Sequence, residues 1–525
     1  MCDELGVLIY HDLAYAKWIG APDDTPLQRA ELLYSLRRLA HHPSIALWDA
    51  CSECGGHGGY ASFLMTVTAA EDPSRPPWPA CPSLGWASGV DALTGLPNSS
   101  PLGLQPHLKL VRPAAAAQCD PAAPYEAHGG YLKGEGAKTV NSSPSLQPFN
   151  LTVPSALPAN STPTGPNECP GTFFSEFGTT APSSFESMSG ALSPSDWGLH
   201  SDGMSLRNYA SDNMVVAASN ASWPGSFGDV GAAAFSRQLY SAMLTQALMM
   251  KATIELHRAQ AVWGTLMWMF AEIWPTGGWG SIEYGPAPGP GVTPGQIEGG
   301  RWKPLHYMLR RFLFRNAFVT VSADGRLFVR SDDAFSAAPL QGTLTLTMLH
   351  LASGAVSDAG SRNVSLPQAG AGASLMLCAD ASAPPGSCTP WAALLPTLGC
   401  AASGSDCVLL MELRGGAADA VVAENFALFA PPFLLSPLPR ANVTVVIVGP
   451  APPGDGASVP IVLYSDAVAL FVHLTTAAAG RFSDNSVFLR PGNTTLEFLA
   501  WGALDLDLLR STLRVEHVAA YGLNY

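Results

Sequence analysis

Ser44-Ile45-Ala46-Leu47-Trp48-Asp49-Ala50-Cys51-Ser52-Glu53 is a short apolar run that ends in a carboxylate. Upstream, Gly6-Val7-Leu8-Ile9-Tyr10 is a second apolar run, with His11 and Asp12 just beyond it. The segment between them reads as a helix. Thr25 suits the N-cap, Pro26 the first helical position, and Gln28 completes a capping box, while Leu32, Leu36 and Leu39 give an apolar stripe. Pro43 stops it. Strand, helix, strand is the repeat unit of parallel α/β folds, in which reactive side chains gather at the C-terminal ends of strands. Glu53 stands at such an end.

A second carboxylate is set the same way: Glu176 closes Gly171-Thr172-Phe173-Phe174-Ser175. Two carboxyls on strand ends of one scaffold are what cleavage of a glycosidic bond requires. One must carry a proton for the leaving oxygen, and the other must stay ionised to attack or stabilise the sugar cation. Between the two, Pro76-Pro77-Trp78-Pro79 falls in a further strand region, and Tyr125 to Tyr131 contains His128. Residues 132–170, rich in Ser, Pro, Asn and Gly, read as a solvated insertion. After Glu176, Leu239, Met243, Ala247, Met250 and Ile254 recur at helical spacing, and this methionine-rich stripe reads as core. The next strand is Gly264-Thr265-Leu266-Met267-Trp268-Met269-Phe270, followed by Trp274-Pro275-Thr276-Gly277-Gly278. Indole rings so close to a strand end either stack on the apolar face of a sugar or cap the core.

Beyond residue 316 the pattern changes. Thr343-Leu344-Thr345-Leu346-Thr347, Val443 to Val448 and Val459 to Leu463 are β-rich runs separated by turn signals such as Asp324-Gly325 and Pro491-Gly492. This part reads as all-β, with two sandwich modules meeting near residue 437. The expected division is 1–315 for the α/β part, 316–436 for a first immunoglobulin-like β-sandwich and 437–525 for a second.

Composition narrows the partners. With 525 residues, 47% hydrophobic and 13% charged, the chain can bury more than one core. A net charge of −14 with no Lys/Arg cluster among aromatics argues against nucleic acid. No run of 18 apolar residues exists, so no membrane span is expected. Eight asparagines stand in N-x-Ser/Thr sequons, at 98, 141, 150, 160, 220, 363, 442 and 493, a pattern of the secretory pathway. Lysosome, vacuole and the extracellular space all fit it. No signal peptide opens the chain, and the true N-terminus is expected to lie upstream of Met1. Of the 10 cysteines, Cys378/Cys388 and Cys400/Cys407 lie in turn-rich segments where local pairing is feasible. Cys51-Ser52-Glu53-Cys54 has C-x-x-C spacing. Without a second Cys/His pair at zinc-finger spacing, packing or a local disulfide is the favoured reading.

Four ordered motifs carry a resemblance: Cys2 to Tyr10, His41-His42-Pro43-Ser44-Ile45-Ala46-Leu47-Trp48, Ser175-Glu176-Phe177-Gly178 and Arg301-Trp302-Lys303-Pro304-Leu305-His306-Tyr307. Together they resemble glycoside hydrolase family 2, in its β-mannosidase branch. The tail, Arg481-Phe482-Ser483-Asp484-Asn485 and Leu489-Arg490-Pro491-Gly492, is similar to that branch's final sandwich. The resemblance implies a partial TIM (β/α)8 barrel lacking its first strands, followed by immunoglobulin-like β-sandwich modules. The family's N-terminal domains are expected but absent from this chain. It also implies retaining chemistry, with Glu176 as nucleophile and Glu53 as acid/base, and with neither metal nor cofactor. His128 and Tyr131 match polar positions near the nucleophile, Trp268 looks like the sugar platform, and Trp48, Ser52 and Trp274 are further expected contacts. Two departures from the family pattern stand out. Ser52 replaces the asparagine usual before the acid/base, and Met269-Phe270-Ala271 stand where Gln-Leu-Asn is common before an acidic residue, here Glu272.

The implied activity is a retaining exo-β-mannosidase acting on terminal β-D-mannose of oligosaccharides or glycoprotein glycans. An exo-β-glucosaminidase or endo-β-mannosidase is the alternative within the family. From another class comes a degenerate carbohydrate-binding protein, motivated by Ser52 and the altered strand end. A lectin has no need of both glutamates.

Overall fold

The computed structural model describes residues 1–13, 25–50, 52, 58–75, 77–78, 125–128, 172–207, 223, 228–259, 264–284, 300–332, 339–366, 373–383, 387–416, 419–449 and 457–521. After a one-turn helix α1 (Cys2–Leu5), strand β1 (Ile9–Asp12) leads towards helix α2 (Pro26–Leu39). The capping box is present: the Thr25 hydroxyl accepts from Gln28 N while the Gln28 side chain accepts from Thr25 N. Such a cap is worth about 1 kcal/mol. Leu32 and Leu36 are buried on the side that meets helix α3 (Gly58–Glu71). Strand β2 (Ile45–Asp49) pairs in parallel with β1 and with the short β3 (Pro77–Trp78).

A second parallel sheet has the order β4 (Tyr125–His128), β5 (Thr172–Phe177), β7 (Gly264–Met267). Between β5 and β7 come the two-residue strand β6 (Ala181–Pro182), helix α4 (Phe185–Ser189), helix α5 (Asp202–Arg207) and the 28-residue helix α6 (Ala232–Ala259). Strand β6 pairs antiparallel with β8 (Gly277–Gly278). Helix α7 (Pro304–Met308) closes this part of the chain. The described residues thus contain two three-stranded parallel sheets with helices packed on them, and a closed barrel is not among them.

Helix α6 is the axis of the molecule. From Gln238 to Ala259 every residue is buried, so the stripe of Leu239, Met243, Ala247, Met250 and Ile254 is core as expected, and the opposite face is covered too. Several buried polar side chains beside the stripe are hydrogen-bonded individually. Tyr240 Oη donates to Phe471 O at 2.9 Å, Lys251 Nζ to Glu255 at 2.5 Å and to Phe426 O at 2.9 Å, and Arg258 Nη1 to Leu313 O at 2.7 Å. A buried polar group left without a partner costs about 1–3 kcal/mol, so these bonds are a condition for the helix to lie where it does.

The rest is antiparallel. Strands β9 (Ala317–Val321), β10 (Arg326–Ser331) and β13 (Ala373–Cys378) form one sheet, facing a second made of β11 (Leu340–His350), β12 (Val356–Leu366), β14 (Cys407–Gly415) and β15 (Ala420–Ala427). Alternating Leu344, Leu346 and Met348 fill the space between them with Val319, Val321, Leu327 and Val329. Disulfides Cys378–Cys388 and Cys400–Cys407 close loops of this module. A last module pairs the sheet β16 (Val443–Ile447), β17 (Ser458–Ser465), β21 (Gly492–Ala500), β19 (Gly480–Phe482) with the sheet β20 (Val487–Leu489), β18 (Ala469–Thr475), β22 (Arg514–Glu516). Ile461, Leu463, Leu474 and Phe498 are in its core. No described helix is long and apolar enough to cross a membrane.

Candidate active site

The decisive local feature is a break in register on β5. Phe173 and Phe174 pair with Gly264 and Thr265 of β7, yet the next partner of Met267 is Phe177, one residue further along than the ladder predicts. On the other side Ala127 pairs with Phe174 but His128 with Glu176. Strand β5 therefore carries an extra residue at Ser175–Glu176, a β-bulge. In a regular strand Phe174 and Phe177 would lie on opposite faces. With the bulge they share one, and both meet the His257 ring of α6, stacked at 3.8 Å and edge-on at 4.9 Å. Ser175 and Glu176 sit at the bulge between these two rings, and both are half-buried. His257 is buried, and burial pushes its pKa down to about 3, so the ring is a neutral packing element behind the strand.

Trp268 follows β7 directly. Its backbone N–H donates to Phe177 O at 2.8 Å, and its side chain is 42% exposed. The approach is close enough to require glycine at position 178, where a Cβ would come within 2.1 Å of Trp268 O. The segments carrying Glu176 and Trp268 are thus laced together at the C-terminal strand ends.

Beneath them is a polar floor that the sequence did not announce. Glu272 and Lys303 are both fully buried and form an ion pair at 2.7 Å. Lys303 Nζ also donates to Ala181 O at 2.8 Å, while Glu272 Oε1 accepts from Gly280 N at 2.9 Å. Burial raises the Glu272 pKa, opposed by the Lys303 charge. Gln246 of α6 donates to Thr179 O at 2.8 Å, tying the same loops to the helix. Ser184 and Ser187 donate to Glu283 Oε2 at 2.7 and 2.6 Å. Arg301 then links Ser187 at 2.9 Å to Thr476 O of the last module at 2.6 Å. Lys303 belongs to the Arg301–Tyr307 motif quoted above, but nothing in that motif names Glu272, 31 residues away, as its partner.

The other expected contacts divide. The backbone of His128 lies beside Glu176 through the β4–β5 register. Ser52 is half-buried just beyond β2. Trp48 is fully buried, with Nε1 donating to Asp72 Oδ2 at 2.9 Å and Arg75 over its ring at 6.0 Å, and it packs in the core of the first α/β unit. Trp274 is 36% exposed and carries the Arg207 guanidinium at 5.5 Å. Phe270 is 67% exposed. Glu53 and Tyr131, like the cysteines of the C-x-x-C motif, lie outside the described residues. Among the described residues, His350, Cys400 and Cys407 have metal-ligand chemistry in one place, but the two sulfurs are bonded to each other.

Comparison with known proteins agrees with this architecture. Residues 438–521 match the model of the mannosidase immunoglobulin-fold domain. The chain is 24% identical over 397 residues to Beta-mannosidase A of Neosartorya fischeri, covering 68% of this chain and 38% of that protein. It is 25% identical over 389 residues to Beta-mannosidase A of Aspergillus flavus, covering 67% and 38%. In fold it is similar to the β-D-mannosidase of Dictyoglomus thermophilum, with a TM-score of 0.61 at 20% identity over 98% of this chain and 53% of that one. It is also similar to the Amycolatopsis orientalis exo-chitosanase, with a TM-score of 0.54 at 14% identity over 94% and 53%. The chain spans well under half the length of the fungal relatives it matches. In its four motifs and its terminal domain, the chain is similar to the β-mannosidase branch of glycoside hydrolase family 2.

Proposed function

We propose that the protein is a retaining exo-β-mannosidase that removes terminal β-D-mannose from oligosaccharides or glycoprotein glycans. In this reading residues 1–315 are the C-terminal part of a TIM-barrel catalytic domain with an insertion at 132–170, and 316–436 and 437–525 are its supporting sandwiches. The observation that carries it is the bulge at Ser175–Glu176, with His128 beside it on one neighbouring strand and Trp268 just past the end of the other. Bulges beside active sites re-aim a side chain out of the regular alternation. Here the re-aimed side chain is a carboxylate.

Glu176 attacks the anomeric carbon while Glu53 protonates the departing glycosidic oxygen. Glu53 then takes a proton from water, which releases mannose from the glycosyl-enzyme. Two carboxyls roughly 5–5.5 Å apart suit this double displacement. The exposed Trp268 indole offers an apolar face for the sugar ring, and Ser52 a hydroxyl in place of an amide near the 2-hydroxyl. The sequons support export to a lysosome, vacuole or the extracellular space.

A 2-fluoro-mannosyl fluoride tests the reading on the full chain. A covalent adduct on a peptide containing Glu176 supports it. Mannoside binding without an adduct points to a carbohydrate-binding protein instead. The fold likeness to an exo-chitosanase motivates a second reading, β-glucosaminidase. Comparing kcat/KM on aryl mannoside and aryl glucosaminide separates the two.

A further inference from the structure

The outer face of the last module is more apolar than a solvent face should be, and two sequons border it. Along β16, β17 and β21 the ladder sets up rows across the sheet. Thr444 pairs with Tyr464 and Tyr464 with Asn493, and the next outward row is Val446, Val462 and Thr495. In these strands the alternate residues Leu463, Leu496 and Phe498 point into the core. The outward set includes Tyr464 at 48% exposure and Val446 at 57%, with Val448 at 45% just past the strand. Among the described residues strand β16 is moreover an edge, paired only with β17. An exposed, β-branched edge strand is a template for pairing with another chain.

Both ends of the first row are modification sequons. Asn493-Thr494-Thr495 begins on β21 with Asn493 directly opposite Tyr464, and Asn442-Val443-Thr444 runs onto the β16 edge with Thr444 on the other side of Tyr464. Asn442 and Asn493 are exposed. The Asn442 backbone N–H is fixed by Asp466 Oδ1 at 2.7 Å, which holds the start of the edge strand and leaves its side chain outward.

We propose that Asn442 and Asn493 carry N-linked glycans whose first N-acetylglucosamine residues cover this face, the one on Asn493 lying against the Tyr464 ring. In the modification the asparagine Nδ2 forms a bond to the anomeric carbon of a polyprenyl-diphosphate-linked oligosaccharide. The bond from that carbon to the diphosphate oxygen breaks, polyprenyl diphosphate leaves, and one amide proton passes to base. The sugar presents an apolar face to the phenol ring, and its hydroxyls replace the exposed valines as the surface that water and other chains meet. The inference rests on export of the chain and not on the glycosidase reading.

The test uses the full chain behind a cleavable signal sequence in a eukaryotic secretory host. Glycopeptide mass spectrometry, with amidase release in ¹⁸O-water to mark former glycan sites, is expected to find Asn442 and Asn493 occupied. Either peptide unmodified, whatever the state of the other sequons, overturns the proposal for that position. Hydroxyl-radical footprinting then reads the contact. With glycans trimmed to one N-acetylglucosamine, Tyr464 labelling is expected to fall severalfold relative to the Asn493→Gln variant. Equal labelling in the two refutes the packing of the glycan on Tyr464.

Discussion

Strand β11 holds its register against β14 without interruption from Gly342↔Gly415 to His350↔Cys407, whereas β4 and β5 hold theirs only from Tyr125↔Thr172 to Ala127↔Phe174 before slipping. The antiparallel half has irregularities of its own, such as the one in β12 at Gly360, which pairs with Leu346 of the sandwich core. In the parallel half the slip coincides with Glu176 and with a buried polar floor. Long ladders go with burial; the broken ladder carries a half-buried carboxylate. On the proposed function, the two halves divide the labour of stability and chemistry.

The largest expected effects probe the chemical side of that division. Glu176→Gln removes the proposed nucleophile and is expected to lower kcat roughly 10⁴-fold or more. Glu53→Ala is expected to cost on the order of 10²–10⁴-fold on natural glycosides and much less on aryl mannosides with activated leaving groups. Equal losses on the two substrate types would break the assignment of Glu53. Next comes the floor. Lys303→Met strands the Glu272 carboxylate without its cation and is expected to destabilise the protein by about 3–5 kcal/mol, measured by urea unfolding. Combining it with Glu272→Gln is expected to recover much of the loss. If the double variant is as unstable as the single one, the pair is not the linchpin of those loops.

Smaller effects probe the antiparallel side. Opening the Cys400–Cys407 loop by Cys407→Ser is expected to cost about 2 kcal/mol with Glu176 reactivity unchanged. A parallel fall in labelling by the fluoro-sugar would show the halves to be less separate than their ladders. The last effect is a pH slope. Burial holds the Glu516 pKa up to about 7, with the Glu186 charge adding to the rise and Arg514 opposing it. The folded chain therefore binds this proton more tightly than the unfolded one. Its contribution is full below the ordinary carboxylate range and is lost as pH rises through about 7. Glu516→Gln is expected to flatten that part of the stability profile, read as urea midpoints between pH 5 and 8.

Much of this was legible in residue order, and the limits have physical causes. The Thr25–Gln28 cap, the apolar stripes on α2 and α6 and the alternation in β11 and β17 are local signals, and local structure follows them. Both cysteine pairings read as feasible from their spacing are present. The bulge at Ser175 has no such signal, because Thr172-Phe173-Phe174-Ser175-Glu176-Phe177 alternates equally well without it. Nor could spacing foretell that Lys251, Glu255 and Arg258 would be buried on α6, since each is satisfied by a carbonyl or side chain far away in sequence. Trp48 illustrates the converse. An indole near a strand end has two uses, and Asp72, whose carboxylate fixes its nitrogen, decides for the core.

Helix α6 has a practical consequence for anyone dissecting the molecule. Its hydrogen bonds run to Thr179 on one side and to Phe426 and Phe471 on the other, so each half supplies one wall of the groove it occupies. A truncation at residue 315 would leave a long strip of leucine, methionine and tyrosine facing solvent, together with a lysine that has lost one of its two acceptors. Expression of the first half alone is therefore a recipe for inclusion bodies. Directed evolution of the strand-end residues must carry the sandwiches as an inseparable chassis.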